Sequence, residues 1–212
     1  MRLTKLGHSC VRLQQDGRTL VIDPGIFTEP GALDGAGAVL VTHEHADHLD
    51  AASLRAAMSA SPALEVWTNA SVAGQLADLG SRVHAVGHGD SFTAAGFDVR
   101  VHGREHAVVH PDIPVVANIG FAVEQTVFHP GDAFTVPDEP VPVLMLPVSA
   151  PWLKASEMID YARAVAPARG YAIHDGILSE NGIGLIRGLL SLARGTGTGE
   201  FSVLAPGTGV EL

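Results

Sequence analysis

Short apolar runs rich in Val, Ile and Leu recur along the chain, and Gly, Pro or Asp bounds each of them, a pattern typical of strands. The Asp-Gly pair at 16–17 lies between two such runs and predicts a β-hairpin over 10–22. Together the runs predict strands at 10–13, 19–22, 38–42, 82–86, 97–102, 115–123, 126–129, 141–146, 171–174 and 201–204.

Longer segments between these strands place apolar residues three and four positions apart, which is the spacing of one helix face. They predict helices at 49–59, 71–79, 154–165 and 183–193, so helices are interspersed with strands in both halves. The glycine-rich tract at 195–199 predicts a flexible turn into the last strand and is too short for a linker between domains. The pattern therefore indicates sheets covered by helical layers and leaves the strand order open.

The composition fits a single folded domain over 1–212. Apolar residues make up 46% of the 212 residues and charged residues 17%, a balance that argues against disorder. The 13 basic and 23 acidic residues leave a formal charge of -10, which disfavours nucleic acid as a partner. We see neither an apolar signal sequence nor a run of ~18 apolar residues that could span a membrane, so we expect a cytoplasmic protein without a membrane partner.

Cys10 is the single cysteine of the sequence, which excludes an intramolecular disulfide and a metal site built from several thiolates. It lies in an apolar run, where a free thiol behaves as a small hydrophobic side chain. Any metal ion must therefore be held by histidine and carboxylate side chains.

Candidate ligands of this kind cluster in the segment His-Glu-His-Ala-Asp-His at 43–48, directly after an apolar predicted strand. In extended backbone, His43 and His45 point the same way, so both imidazoles can meet one ion. Asp47 and His48 fall where the chain turns into the next predicted helix, and there they can face a second ion. One short segment can thus supply ligands to two adjacent metals.

The His-x-His-x-Asp-His spacing of 43–48 matches the signature of the metallo-β-lactamase superfamily, and the chain resembles its small, single-domain, UlaG-like branch. The resemblance implies an α+β (α/β) fold, a four-layer αββα sandwich, over nearly the whole chain. It also implies an aspartate in a later Gly-Asp pair and a last histidine after a strand, which Asp132 and His174 match. The remaining histidine is His106 or His110, and we favour His106 because it closely follows a predicted strand.

The resemblance further implies two divalent metal ions, with zinc as the first expectation and manganese or iron as alternatives. It assigns His43, His45 and His106 to the first ion and Asp47, His48 and His174 to the second, with Asp132 bridging the two. Two ions about 3.5–4 Å apart can share a water, lower its pKa to give hydroxide near neutral pH, and polarise a carbonyl or phosphoryl oxygen. Asp47 and Asp132 are then the candidate catalytic carboxylates, since Asp47 can orient the hydroxide or carry a proton.

Four further residues are candidates for the surroundings of the site, and each has a simpler alternative. Asp23 ends an early strand in Asp-Pro-Gly and either hydrogen-bonds the ligand loop or forms a turn. His8, in a Gly-His pair that resembles one near the N-terminus of this branch, lies at the pocket mouth or on the surface. His110, if it is not the ligand, contacts substrate or faces solvent. Trp152 lines the pocket or packs in the core.

The leading interpretation is a metal-dependent hydrolase that cleaves a small ester, lactone, amide or phosphodiester with a hydroxide held by two metals. An iron-containing enzyme of the same fold that uses oxygen or redox chemistry is one alternative, and a metal-binding protein without turnover is another. We expect a small-molecule substrate as the partner, and a homo-oligomer is compatible with the sequence. The substrate depends on loops such as 27–37 and 108–114, whose shapes do not follow from sequence.

Overall fold

Two seven-stranded β-sheets lie at the centre of a computed structural model, which describes residues 1–193 and 199–212. In order across the first sheet are β14 (Gly209–Glu211), β1 (Arg2–Lys5), β2 (Val11–Gln15), β3 (Arg18–Ile22), β4 (Ala38–Val41), β5 (Glu65–Thr68) and β6 (Val83–Ala85). In order across the second are β13 (Glu200–Ser202), β12 (Arg169–Ile173), β11 (Val143–Pro147), β10 (Val127–His129), β9 (Gly120–Val123), β8 (Phe97–His102) and β7 (Ser91–Ala94).

Helices cover the outer face of each sheet. The first sheet carries α1 (Ala51–Ala60), α2 (Ala70–Gln75) and a 3-10 helix over Ala77–Arg82, and the second carries α3 (Ala155–Val165) and α4 (Glu180–Ala193). Alternate residues of β4 show the layering, because side chains along a strand point to opposite faces. Leu40 packs between the sheets with Phe121, whereas Val39 and Val41 pack with Leu54 of α1. The αββα sandwich expected from the sequence is confirmed.

Both sheets contain parallel strands. The carboxyl ends of these strands, which the candidate ligands follow, therefore lie along the same edge of the sandwich. In the first sheet β3, β4 and β5 pair in parallel, with Val21 opposite Val39. In the second sheet β10, β11 and β12 pair in parallel, with Phe128 opposite Leu144. Ligands of α/β proteins bind outside the carboxyl ends of such strands, and the segments after β3, β4, β10 and β12 carry the candidate site residues.

The apolar pattern missed β1, β5, β7 and β14, which have only three or four residues each. β1 has a single apolar residue, Leu3, and its pairing with β2 on one side and β14 on the other extends the first sheet. β14 is made by the last residues of the chain, so its pairing with β1 joins the two ends of the sequence in one sheet edge. Such long-range pairing leaves little trace in a short window of sequence.

Two predicted elements are shorter than expected. β9 begins five residues later than the strand predicted at 115–123. Before β9, Ala117 forms an isolated antiparallel bridge with Glu105 and is not part of a longer ladder. The helix predicted at 71–79 ends at Gln75 and continues as the 3-10 helix, which is interrupted at Gly80 by a positive φ of 66°. Glycine tolerates this backbone conformation at little cost.

The turn predicted at 195–199 lies outside the described residues except for Gly199. Within the described part of the chain, no helix has both the length and the apolar composition needed to cross a membrane.

Candidate metal centre

Seven histidine and aspartate side chains lie together beyond the carboxyl ends of the strands. They are His43 and His45 after β4, Asp47 and His48 in the turn before α1, His106 beyond β8, Asp132 beyond β10, and His174 after β12. The candidate ligand atoms of His43, His45, His106 and Asp132 lie within 4.8 Å of one another, and so do those of His48, Asp132 and His174. We call His43, His45 and His106 the first half of the cluster, and Asp47, His48 and His174 the second half.

Asp132 lies between the two halves and contacts both. One oxygen, Oδ1, is 3.0 Å from Nε2 of His48. The other, Oδ2, is 3.0 Å from Nε2 of His174 and 3.3 Å from Nε2 of His106. The indole Nε1 of Trp152 donates a hydrogen bond to the same Oδ2 at 3.0 Å. A single buried carboxylate therefore has the position from which it can bind a metal in each half.

The local fold of 43–50 explains how one segment reaches both halves. Fully buried β4 delivers His43 into the interior, and the chain then turns so that the backbone N–H of His48 donates to the carbonyl of His45 at 3.0 Å. Asp50 ends the turn by capping α1, because its side chain accepts hydrogen bonds from the N–H groups of Ala52 and Ser53 at 3.1 Å. The cap places the start of α1 two residues beyond the predicted start at 49.

The histidine rings are anchored through the nitrogen that faces away from the cluster. Nδ1 of His106 is 2.6 Å from the carbonyl of Ala107, and Nδ1 of His174 contacts the carbonyl of Ser149. A carbonyl oxygen only accepts hydrogen bonds, so each Nδ1 must carry a proton, and Nε2 is the nitrogen that can offer a lone pair to a metal. Both Nε2 atoms are buried, and neither makes a hydrogen bond of proper geometry with a described residue.

Asp23 fixes the other two inward-facing rings. Its Oδ2 lies 2.7 Å from Nδ1 of His48, and the same oxygen accepts a hydrogen bond from the hydroxyl of Thr42 at 2.7 Å. Since that hydroxyl donates to Asp23, it accepts from Nδ1 of His43, 3.0 Å away. His45 is turned the other way, with Nδ1 3.1 Å from Nε2 of His43. Asp23 thus lies behind the ligands, where a hydrogen-bonding carboxylate sets ring orientation.

Two of these residues have backbone conformations that are uncommon outside glycine. Asp23 has a φ of 51° and His174 a φ of 61°. Aspartate and histidine are among the residues that tolerate this left-handed region best, and residues held there are frequent at functional sites. At both positions a strand ends and the left-handed residue turns its side chain into the cluster.

The charges in the cluster are strongly coupled. Burial alone would raise the pKa of Asp132, but the three surrounding histidines hold it well below its ordinary value. Burial also opposes the charged form of His174, yet Asp132 and Asp47 raise its pKa to about 9. The same competition, with Asp132 and Asp23 as partners, raises the pKa of His48 well above its usual range. Protons on His48 and His174 therefore balance the carboxylates, and a divalent cation would displace those protons on binding.

The donor set fits divalent metal ions. Imidazole nitrogens and carboxylate oxygens are suitable ligands for zinc, manganese and iron. Most of the cluster is buried, whereas His45 is exposed and Asp47 is partly exposed, so the cluster opens to solvent on their side. The anchored rings, the unpartnered Nε2 atoms and the central carboxylate together meet the requirements of a metal centre with access for a small molecule.

The structure shows which of the remaining candidate residues lie at the cluster and which lie on the surface. His106 lies in the cluster, whereas His110 lies on the surface, where its Nδ1 accepts from the N–H of Asp112 at 3.1 Å. Trp152 is buried against the cluster and contacts Asp132. His8 is only 2% exposed, so it is a buried neighbour of the cluster and neither a surface residue nor one at an open mouth.

Sequence reasoning overlooked several residues that support the ligands. The hydroxyl of Thr42 connects Asp23 to His43 through two hydrogen bonds. The hydroxyl of Ser9 lies 3.2 Å from Nε2 of His48. The side chain of Asn118 accepts a hydrogen bond from the N–H of Asp132 at 3.0 Å. Lys5 is buried and lies 2.5 Å from Asp175, the residue that follows His174. Only Lys5 left a signal, because it shares a strand face with apolar Leu3.

Comparison with known proteins supplies a family. The sequence profile of a family described as "Beta-lactamase superfamily domain" matches residues 2–174. The chain belongs to the metallo-β-lactamase superfamily. "Protein Rv0786c" of Mycobacterium tuberculosis is 41% identical over 197 residues, which cover 90% of this chain and 92% of the relative. A "UPF0173 metal-dependent hydrolase" of Anoxybacillus flavithermus is 29% identical over 75% of this chain and 84% of the relative, consistent with the UlaG-like branch of the metallo-β-lactamase superfamily.

Solved structures show the same fold at low sequence identity. Igni18, described as a metallo hydrolase from Ignicoccus hospitalis, superposes with a TM-score of 0.75 at 18% identity, over 99% of this chain and 97% of the other. CmlA, described as a diiron β-hydroxylase from Streptomyces venezuelae, superposes with a TM-score of 0.72 at 16% identity, over 100% of this chain and 54% of the other. At such identities the likeness concerns the metallo-β-lactamase fold alone.

Proposed function

We propose that this metallo-β-lactamase-fold protein is a hydrolase that uses two divalent metal ions to cleave a small ester, lactone, amide or phosphodiester. The observation that carries the proposal is the position of Asp132, whose carboxylate contacts His106 of the first half and both His48 and His174 of the second half. A carboxylate placed in this way can bridge two metals. The names of relatives such as the Anoxybacillus hydrolase support hydrolysis as the reaction class.

The residues divide the work between holding metals and handling protons. The first half of the cluster and the second half would each hold one ion, with Asp132 between them. When bound, two such ions supply a hydroxide nucleophile near neutral pH and polarise the electrophilic oxygen of the substrate. Asp47 is the partly exposed carboxylate of the cluster, with 25% of its side chain accessible. Its free oxygen is therefore the group that can accept a proton from the nucleophile and return it to the leaving group.

The surroundings of the cluster favour a substrate with an uncharged, apolar part. Many of the exposed large apolar side chains among the described residues lie in three segments that adjoin the ligands. Ile26 and Phe27 lie beside the turn that carries Asp47, with the N–H of Ile26 donating to the carbonyl of Ala46 at 2.8 Å. Val108 follows His106, and Ile177 follows His174. From these positions we infer an apolar rim around the opening of the cluster, which would suit aliphatic or aromatic esters, lactones and amides better than phosphodiesters.

Metal analysis combined with a substrate panel tests this proposal. Protein purified without chelator, or reloaded with Zn²⁺, Mn²⁺ or Fe²⁺, is expected to hold two ions per chain. We expect it to hydrolyse aryl and alkyl esters or lactones faster than bis-aryl phosphodiesters. A protein that holds two ions and hydrolyses none of these compounds would contradict the reaction class. A protein that holds no ion would contradict the metal centre itself.

An iron enzyme that uses oxygen is a second candidate, because the fold is shared with the diiron hydroxylase CmlA. The same ligand set of histidines and carboxylates suits iron. The two candidates differ in their consumption of oxygen, so the iron-loaded protein is assayed in an oxygen electrode with each compound of the panel. Oxygen uptake without hydrolysis would favour the redox enzyme, and neither activity would favour a binding protein.

A further inference from the structure

His8 is a buried histidine beside the cluster to which no role has yet been given. It lies in the segment Gly7-His8-Ser9 between β1 and β2. Its ring is 4.0 Å from that of His174 between centroids, and its Nε2 is 3.4 Å from Oδ2 of Asp47. This Nε2 is buried and makes no hydrogen bond of proper geometry with a described residue. A buried polar atom of this kind is costly unless it has a partner.

The hydrogen bond at the other ring nitrogen determines what Nε2 can do. Nδ1 of His8 accepts a hydrogen bond from the backbone N–H of Gly176 at 2.9 Å. A neutral imidazole has one lone pair and one N–H, so Nε2 of His8 carries the proton. His106 and His174 are anchored in the opposite way, with Nδ1 facing a carbonyl oxygen and Nε2 left with a lone pair. His8 therefore presents a donor to the cluster where these rings present acceptors.

The backbone around His8 is built to hold this arrangement. Gly7 has a φ of 135°, and a Cβ there would lie 2.3 Å from the carbonyl oxygen of Phe27. A Cβ on Gly176 would lie 3.1 Å from both Cβ and Nδ1 of His8, so a larger residue would displace the ring. The carbonyl of His8 accepts a hydrogen bond from the N–H of His174 at 2.7 Å. Glycine at two positions and a direct link to His174 thus fix the ring.

We propose that His8 is a positioning residue whose Nε2–H holds the carboxylate of Asp47 in place as a ligand of the second half. The inference rests on the proposed two-metal function. At 3.4 Å the pair needs only a small turn of the carboxylate to form a hydrogen bond, and Asp47 is partly exposed and therefore has room to turn. A donor on a ligating carboxylate orients that ligand and tunes its affinity for the metal.

The proposal predicts an effect limited to one half of the cluster. Asp47 belongs to the second half, whereas the ligand atoms of His43, His45 and His106 form a group with Asp132 that does not include His8. Removing the donor should lower the affinity for the ion of the second half and leave the affinity for the ion of the first half unchanged. If His8 were instead a metal ligand through Nε2, Gly176 would have to lose its acceptor at Nδ1.

Two substitutions separate the roles of the two ring nitrogens. His8→Asn keeps an acceptor near the N–H of Gly176 but lacks a group that reaches Asp47. His8→Gln places an amide N–H near the position of Nε2. Full-length protein is titrated with Zn²⁺ against a chromophoric chelator, which resolves the two binding steps. We expect His8→Asn to weaken the second step about 10–100-fold and His8→Gln to stay within about threefold of wild type. His84→Asn, at a histidine paired with Glu65, is the matched control.

Long-range ¹H–¹⁵N NMR of the wild-type, Zn²⁺-loaded protein adds a measurement that needs no variant. The proposal expects the Nε2–H form at His8 and the Nδ1–H form at His106 and His174. An unchanged second step in His8→Asn, an equal loss in His8→Gln, or an Nδ1–H form at His8 would each overturn the proposal. Failure of wild type to bind a second ion would instead overturn the proposed two-metal function, which the control variant would show equally.

Discussion

Among the residues that the structure describes, two groups of histidine and carboxylate side chains satisfy the distances of a metal site, and one of the two has the surroundings of one. The first is the cluster centred on Asp132. The second, which we call the peripheral group, consists of His102, Asp138 and Glu139. In the peripheral group, Nδ1 of His102 is 3.5 Å from Asp138 and Nε2 is 3.8 Å from Glu139. The two carboxylates thus face opposite nitrogens of one ring.

The difference lies in what stands behind the ligands. In the cluster, Asp23 and backbone carbonyls hold the outer nitrogens, which fixes the tautomer and frees the inner nitrogens. In the peripheral group neither nitrogen of His102 has a hydrogen-bond partner among the described residues, and Glu139 is paired with Arg100. That guanidinium already neutralises one of the two carboxylates. Residue types and distances alone therefore do not define a metal centre, because the anchoring of the ligand rings also decides it.

The largest expected effect comes from Asp132→Asn. The amide keeps the size of the side chain but replaces one of the two oxygens that contact the histidines of the cluster. We expect hydrolysis to fall by at least about 100-fold, beyond the range for loss of a supporting residue, with fewer than two ions per chain. Metal content is measured by elemental analysis. The matched control is Asp138→Asn in the peripheral group. A comparable loss of metal in that variant would contradict the conclusion that the cluster, and not the peripheral group, binds the metals.

Asp23→Asn removes the charge behind the ligands and leaves every ligand in place. The amide retains one accepting oxygen, so its NH₂ must face either the backbone N–H of Thr42 or both the Thr42 hydroxyl and Nδ1 of His48. We expect metal affinity about 10–100-fold below wild type. Competition with a chelator measures that affinity. Asp16→Asn in the exposed hairpin turn is the control, and an Asp23 variant that binds metal as tightly as this control would contradict the role of anchoring.

Trp152→Phe tests the hydrogen bond that the indole donates to Asp132. Phenylalanine keeps an aromatic ring beside Phe134, whose centroid lies 5.1 Å from that of Trp152, but it lacks the N–H donor and is smaller than the indole. Because metals would also bind this carboxylate, we expect a loss of only about threefold to tenfold in kcat/KM, below the range for a full hydrogen bond to a charged group. Trp67→Phe, at the other tryptophan, should leave kcat/KM unchanged. An equal effect of the two variants would argue for packing alone.

The smallest expected effect concerns His102 of the peripheral group. His102 is buried with both nitrogens unpartnered, and its ring meets Phe128 edge-on at 5.6 Å. We expect His102→Phe to raise the free energy of unfolding by about 1 kcal/mol, since it removes a buried polar group that lacks partners. Urea denaturation measures the change, and metal content should stay at the wild-type value. A fall in metal content would show that His102 binds an ion.

The sequence predicted the site better than it predicted the sheets. The segment 43–48 could be interpreted because an apolar strand precedes it and its ligands are local in sequence. Asp132 and His174 could be found only through resemblance to a family, because their approach to His48 depends on strand pairing over a long distance in the chain. The short strands β1 and β14 illustrate the same limit, since their pairing joins opposite ends of the sequence.

The supporting contacts were the least predictable part. Backbone carbonyls such as that of Ala107 anchor a ring whatever side chain the residue has, so sequence holds no trace of them. Thr42 and Asn118 are ordinary polar residues until the fold places them behind Asp23 and Asp132. His8 appeared from sequence as a residue at the pocket mouth or the surface, and its burial became visible only with the fold. The predicted cytoplasmic location, small-molecule partner and homo-oligomer stay predictions.

A crystal structure with anomalous diffraction recorded at the metal absorption edges would show directly whether the cluster holds two metals. We expect two ions about 3.5–4 Å apart, one held by the first half of the cluster and one by the second, with Asp132 between them. We expect no ion between His102 and the carboxylates of the peripheral group. A single ion that does not contact Asp132, or an ion in the peripheral group with the cluster empty, would contradict the proposed two-metal centre.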